Sequence, residues 1–124
     1  DPAVGEARMP FNIELSEHGA GIHVASLTGH LDSDSVELFE REIMPVISAR
    51  PRGVILEMSS LEYIDSTALA ALLRQRKALE DAGGRLYLCG LRQRIRDVIG
   101  VVRIVPDKMV FEDAGAAARD LEGR

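Results

Sequence analysis

The amino-acid sequence predicts an α/β fold: a mixed, mostly parallel central sheet of four to five strands, with an N-terminal hairpin, packed against about four helices. Three observations carry that prediction. Phe11, Ile13 and Leu15 alternate with polar Asn12 and Glu14, the period-two pattern of a half-buried strand. Val54-Ile55-Leu56-Glu57-Met58 is a short, nearly continuous apolar run, typical of a central strand covered on both faces. From there strand-like and helix-like segments alternate in the order β-β-α-β-α-β-α-(β)-α, which calls for parallel strands joined by helical crossovers.

Taken in order, the hairpin turns at Glu17-His18-Gly19-Ala20-Gly21, and a second strand runs from about Ile22 to Thr28. Val36, Phe39, Ile43 and Ile47 mark one face of a helix expected from about Ser35 to Ala49. Ser33, Asp34 and Ser35 are all candidate N-caps, Asp34 with Glu37 is close to a capping box, and Pro45 is expected to kink the helix or end it early. Pro51-Arg52-Gly53 breaks the chain before the central strand, expected over Gly53 to Met58. A turn at Tyr63-Ile64-Asp65-Ser66-Thr67 then opens the strongest helix, with Leu69, Leu72, Leu73 and Leu79 at helical spacing. Gly83-Gly84 ends it, because these residues tolerate positive φ. A strand at Arg85–Cys89, a short helix at Arg92–Ile99, an extended piece near Met109 to Phe111 and an alanine-rich helix at Ala114–Leu121 complete the pattern.

A chain of 124 residues fits one domain, expected over residues 9–124. Residues 1–8 read as a tag remnant or linker, with Met9 as a plausible native start. The composition, 46% hydrophobic and 28% charged, suffices for a packed core. The net charge of −5 gives no general attraction for phosphate backbones, and 4% aromatic content without tryptophan offers no stacking platform. Direct nucleic-acid binding is therefore not expected. No apolar run reaches the ~20 residues that cross a bilayer, and no secretory signal is visible. The domain is expected to be cytoplasmic and to have no membrane contact of its own. Cys89, the lone cysteine, sits in an apolar run and reads as a buried structural thiol.

Several chemistries lack their residues. The hydrolase elbow needs glycine two positions either side of its serine, and Ser66 is flanked there by Ile64 and Ala68. His18, His23 and His30 all precede Ser66, have no metal-ligand spacing and read as surface or edge residues. No glycine-rich segment is followed by the Lys and Ser/Thr of a phosphate loop. Arg92, Arg94 and Arg96 alternate on a helix, so they cannot share a face and read as solvated surface. No catalytic residue, metal site or cofactor is predicted. The turn itself remains. With Asp65 as N-cap, Ile64 and Leu69 stand at the two positions of a hydrophobic staple, and Ser66 falls in the first helical turn near solvent. On residue chemistry alone this is a capped helix start, and a hydroxyl presented to other proteins is the second reading.

Three segments give the sequence a family resemblance: Leu27-Thr28-Gly29-His30-Leu31-Asp32, the strand Val54–Met58 followed by Leu61 to Leu69, and Gly83 to Gly90. With these the chain resembles the STAS domain family, and within it the bacterial anti-anti-sigma factors (anti-sigma factor antagonists). The resemblance spans about Phe11 to Leu121 and implies the STAS fold. It also implies a partner-switching function without enzymatic activity. The phosphoacceptor would be Ser66, with Thr67 the weaker candidate, and the partner-binding residues Asp32, Asp65, Ser66, Thr67, Ala68 and Leu69. The partners implied are an anti-sigma factor that is also a serine kinase, and a serine phosphatase. The unphosphorylated form would bind the anti-sigma factor and release a sigma factor. One departure stands out: Ala68-Leu69-Ala70 replaces the family's common Gly-Leu-Gly, adding two methyl groups expected at the contact surface. Alternatives within the resemblance are the STAS module of an anion transporter, a sensor, or a lipid-transport assembly. The oligomeric state is not legible.

Overall fold

The computed structural model describes residues 10–19 and 21–124. The expectations for residues 1–8 and for Met9 fall outside them. The elements are β1 (Asn12–Glu17), β2 (Ile22–Leu31), α1 (Val36–Ser48), β3 (Gly53–Ile64), α2 (Ser66–Asp81), β4 (Arg85–Cys89), α3 (Gln93–Val102), a 3-10 turn (Asp107–Met109), β5 (Val110–Phe111) and α4 (Ala114–Glu122). They form one sheet in the order β1-β2-β3-β4-β5, with β1 antiparallel to β2 and every other pairing parallel. The mixed sheet with its antiparallel hairpin edge and four helices is the predicted α/β architecture.

Strand alternation sorts the core into two layers. A Cβ on Gly53 would lie 2.6 Å from Leu121 of α4, so Gly53, Ile55 and their strand neighbour Tyr87 face that helix. Tyr87 stacks on Phe111 at 5.1 Å, and its hydroxyl bonds the carboxylate of Asp120 on α4. Val54, Leu56 and Met58 point the other way and are as deeply buried. The crossovers β2-α1-β3 and β3-α2-β4 advance in one direction, and right-handed connections place both helices on that opposite face. Glu40 of α1 accepts from Arg74 and Gln75 of α2 at 3.1 and 2.9 Å, joining the two. Fully burying each Leu or Ile stabilises the fold by roughly 1.5–3 kcal/mol. Cys89 is buried as predicted, and burial, with Glu57 and Asp113 nearby, pushes its thiol up to about 12.

Three local expectations are corrected. The first concerns Pro45, which does not end α1: the helix runs on to Ser48. Pro45 and Arg41, whose carbonyl loses its helical partner, both lie on the exposed side, so that group is not shut away from solvent. The second concerns the start of α1, where Ser35, one of the three candidates, is the N-cap, one residue off the capping-box register of Asp34 and Glu37. The third concerns strand length, because β2 and β3 extend past Thr28 and Met58 to Leu31 and Ile64. Their last residues pair with each other, Thr28 with Ser60 through Leu31 with Ile64, beyond the point where β4 has ended. Without a flanking strand, Ser59 and Ser60 lie exposed, which is why their polarity reads as a loop in sequence. Gly29 sits at a register shift in this ribbon with φ +90°, a conformation that favours glycine.

A candidate protein-interaction site at the start of α2

The two-stranded ribbon ends in two loops, one holding Asp32 to Ser35 and the other Asp65. Asp65 is the N-cap of α2, and its Oδ1 accepts the Ala68 amide at 2.9 Å. Its Oδ2 accepts the Ser33 amide at 3.1 Å, and its own amide donates to the Leu31 carbonyl at 3.3 Å. One carboxylate therefore caps the helix and ties the neighbouring loop to it. Ile64 and Leu69, the expected staple positions, are both buried in the core cluster. The helix start is anchored from below as well as capped from above.

Asp32 is only 5% exposed. Its Oδ1 accepts the Asp34 amide at 3.0 Å, an Asx turn, while its backbone carbonyl accepts the amides of Ser35 and Val36. The Ser35 hydroxyl donates to the His30 carbonyl at 2.8 Å and accepts from the Asp32 amide at 3.0 Å. Asp32 thus shapes the loop beside α2 from within.

Ser66 and Thr67, the first two residues of α2, are exposed. Their amides belong to the helix's unpaired first turn, where the helix dipole favours an anion. Of the residues expected at the contact surface, Asp65, Ser66 and Thr67 come together in reach of solvent. Ala68 and Leu69 do not: they are 0% and 8% exposed and belong to the core. The methyl group of Ala68 therefore faces inward, and only Ala70 changes the exposed face of α2. One participant and one contact escape sequence reasoning. Ser33 supplies the amide that Asp65 captures across 32 residues of chain, a contact with no local signature. Tyr63 is 44% exposed and meets His30 edge-on at 5.7 Å beside the site, visible only once the strands are paired.

Among the described residues no group of three or more His, Cys, Asp and Glu is placed to hold a metal ion, and no helix is long and apolar enough to cross a membrane. The fold and site define a small α/β domain that offers a rigid, capped helix start with exposed hydroxyls. The STAS domain model matches residues 13–115, and the chain belongs to that family.

BtrV of Bordetella bronchiseptica, which carries the name anti-sigma factor antagonist, is 33% identical over 100 residues, 78% of this chain and 86% of its own. The anti-sigma F factor antagonist of Paenibacillus polymyxa is 25% identical over 118 residues, 92% of this chain and 97% of its own. The fold matches the Bacillus anti-sigma factor antagonist SpoIIAA in its unphosphorylated form with a TM-score of 0.79 at 21% identity, covering 91% of this chain and 98% of that one. It also matches the anion-transporter family member SLC26A9 with a TM-score of 0.75 at 15% identity, covering 84% of this chain but 20% of that one.

Proposed function

We propose that the chain is an anti-sigma factor antagonist whose binding surface is the start of α2, switched by phosphorylation of Ser66. The observation that carries the reading is the placement of Ser66: exposed, first in the helix, and held by a carboxylate that clamps both loops. The names of the relatives support the anti-sigma partner, and the serine kinase and phosphatase follow from the family resemblance. The setting is bacterial and cytoplasmic, and the domain acts by binding, without catalysis of its own.

A phosphate on Ser66 adds ~1.5–2 negative charges. Within the domain the helix N-terminus offsets roughly 0.3–1 kcal/mol of repulsion from Asp65 and Asp32. At an interface an unpaired buried charge costs several kcal/mol, and each ~1.4 kcal/mol is tenfold in affinity. Phosphorylation accordingly detaches a partner without unfolding the domain. The test is incubation with the cognate kinase and ATP, followed by site mapping by mass spectrometry. Phosphate on Ser66, lost in Ser66→Ala, is the expected result, and undiminished transfer to Ser66→Ala sinks the assignment. Ser66→Asp should weaken partner binding at least tenfold while the thermal melt stays nearly unchanged. A large loss of stability instead would mean that Ser66 is only part of the cap.

A further inference from the structure

Away from Ser66, a cleft of about 140 Å³ opens between α3 and the β5 edge of the sheet, lined by Leu91, Ile99, Val105 and Val110 with Arg96, Gly100, Arg103 and Asp107 at its mouth. Ile99 and Val105 are buried and form its floor. Val110 points away from its neighbour Phe111, which stacks on Tyr87 on the α4 side, and so contributes from the opposite face.

Two residues at the mouth run against what the backbone would favour. Gly100 lies inside α3, where glycine is destabilising relative to alanine. No packing requires it, because a Cβ there would meet nothing within 4 Å. Arg103 closes the same helix in the left-handed region at φ +58°, a position glycine usually takes. Arg50 has a similar backbone, but its guanidinium donates to the Ala82 carbonyl at 3.5 Å. Arg96 and Arg103 make no side-chain hydrogen bond or ion pair among the described residues. The helix thus has a glycine where alanine would fit, an arginine where glycine would fit, and open space between two uncommitted guanidiniums.

We propose that this cleft is a binding site for a small monocarboxylate with an apolar body about the size of a benzene ring. The volume is close to that of a cavity that holds benzene, and here apolar walls pass into charged side chains at the opening, which suits an apolar body carrying a charged head. Arg96 and Arg103 against Asp107 leave one net positive charge at the mouth, which matches a monoanion. The missing side chain of Gly100 lets the ligand approach the helix backbone.

The test is an amide-shift NMR titration of the whole chain with benzoate, benzyl alcohol and benzylamine. Benzoate should give saturable shifts centred on Leu91, Ile99, Gly100 and Arg103, with a dissociation constant on the order of millimolar for so small a ligand. Benzyl alcohol should bind about threefold more weakly, the value of one solvent-exposed charge contact, and benzylamine should not saturate. Gly100→Ala should raise the melting temperature, because it restores helix propensity, while Gly100→Leu fills the mouth and abolishes the shifts. Arg103→Gly separates the site from a structural role. It should weaken benzoate about threefold, whereas an arginine that only offsets the helix dipole would alter the melt and leave binding unchanged. Equal shifts with benzylamine, absence of saturation, or unchanged affinity in Arg103→Gly each overturn the proposal.

Discussion

Asp65→Ala removes two hydrogen bonds that originate in one carboxylate. Loss of the Ala68 amide bond strips the N-cap of α2, which costs about 1 kcal/mol. Loss of the Ser33 amide bond costs a further amount of about 1 kcal/mol, the value of an ordinary hydrogen bond and less than a buried charged acceptor would give, because Ser33 is exposed and water replaces the partner. The sum of about 2 kcal/mol corresponds to a fall of about 8 °C in melting temperature, taking an unfolding entropy of about 2.1 cal/mol/K per residue. Asp65→Asn separates the two parts. Asparagine caps as well as aspartate and keeps one acceptor oxygen for Ala68, but it turns an NH₂ toward Ser33. Its cost should be about half that of alanine. Urea denaturation followed by circular dichroism at neutral pH reads both variants. A loss below about 0.5 kcal/mol in Asp65→Ala, within the range of ordinary surface changes, would refute the clamp. So would equal losses in the two variants.

The Tyr87 cluster makes a second expectation. Burial, reinforced by the hydrogen bond with Asp120, raises the Tyr87 phenol above its ordinary 10.0, so its contribution is complete below pH 10 and is lost as pH rises through the folded-state value. Asp120 is held below the usual carboxylate range, first by the hydrogen bond from Tyr87 and then by Arg124. Its contribution is present above the ordinary carboxylate value and fades as pH falls through the lowered one. Tyr87→Phe should therefore cost about 1–2 kcal/mol at pH 7, a gap that narrows above pH 10 in urea melts. A gap constant with pH would contradict this. Gly84→Ala should destabilise by about 1–3 kcal/mol, because its Cβ would lie 2.6 Å from the Pro51 carbonyl oxygen, a backbone atom with little room to give. A neutral Gly84→Ala in the same melts would mean that the turn after α2 moves freely.

Much of this molecule was legible in its residues. The Gly83-Gly84 stop forms the expected helix end: Gly83 has φ +91°, and the amides of Gly83 and Gly84 return to the carbonyls of Glu80 and Leu79 at 3.0 and 2.9 Å. The Asp65 cap was legible for the same reason, since an N-cap bonds an amide three residues away. The failures share a different cause. Ser59-Ser60 reads as a loop because polarity in a strand shows only that a face is wet, and the neighbour that fails to cover it is β4, distant in sequence. Ala68 was expected at the contact surface from the family resemblance, which carries the motif but not the direction in which this residue faces, and its methyl group lies in the core.

The sequence by itself determined the order of elements, the buried middle of β3, the capped helix start and the serine beside it, because short-range hydrogen bonding and apolar periodicity encode each of these. Only the tertiary structure decided that Asp65 also holds Ser33, that Asp32 works from inside its loop, that Ala68 and Leu69 belong to the core, and that two arginines flank an open cleft. Those outcomes depend on which strands pair and where the sheet ends, and contacts between residues far apart in the chain leave no local pattern to read.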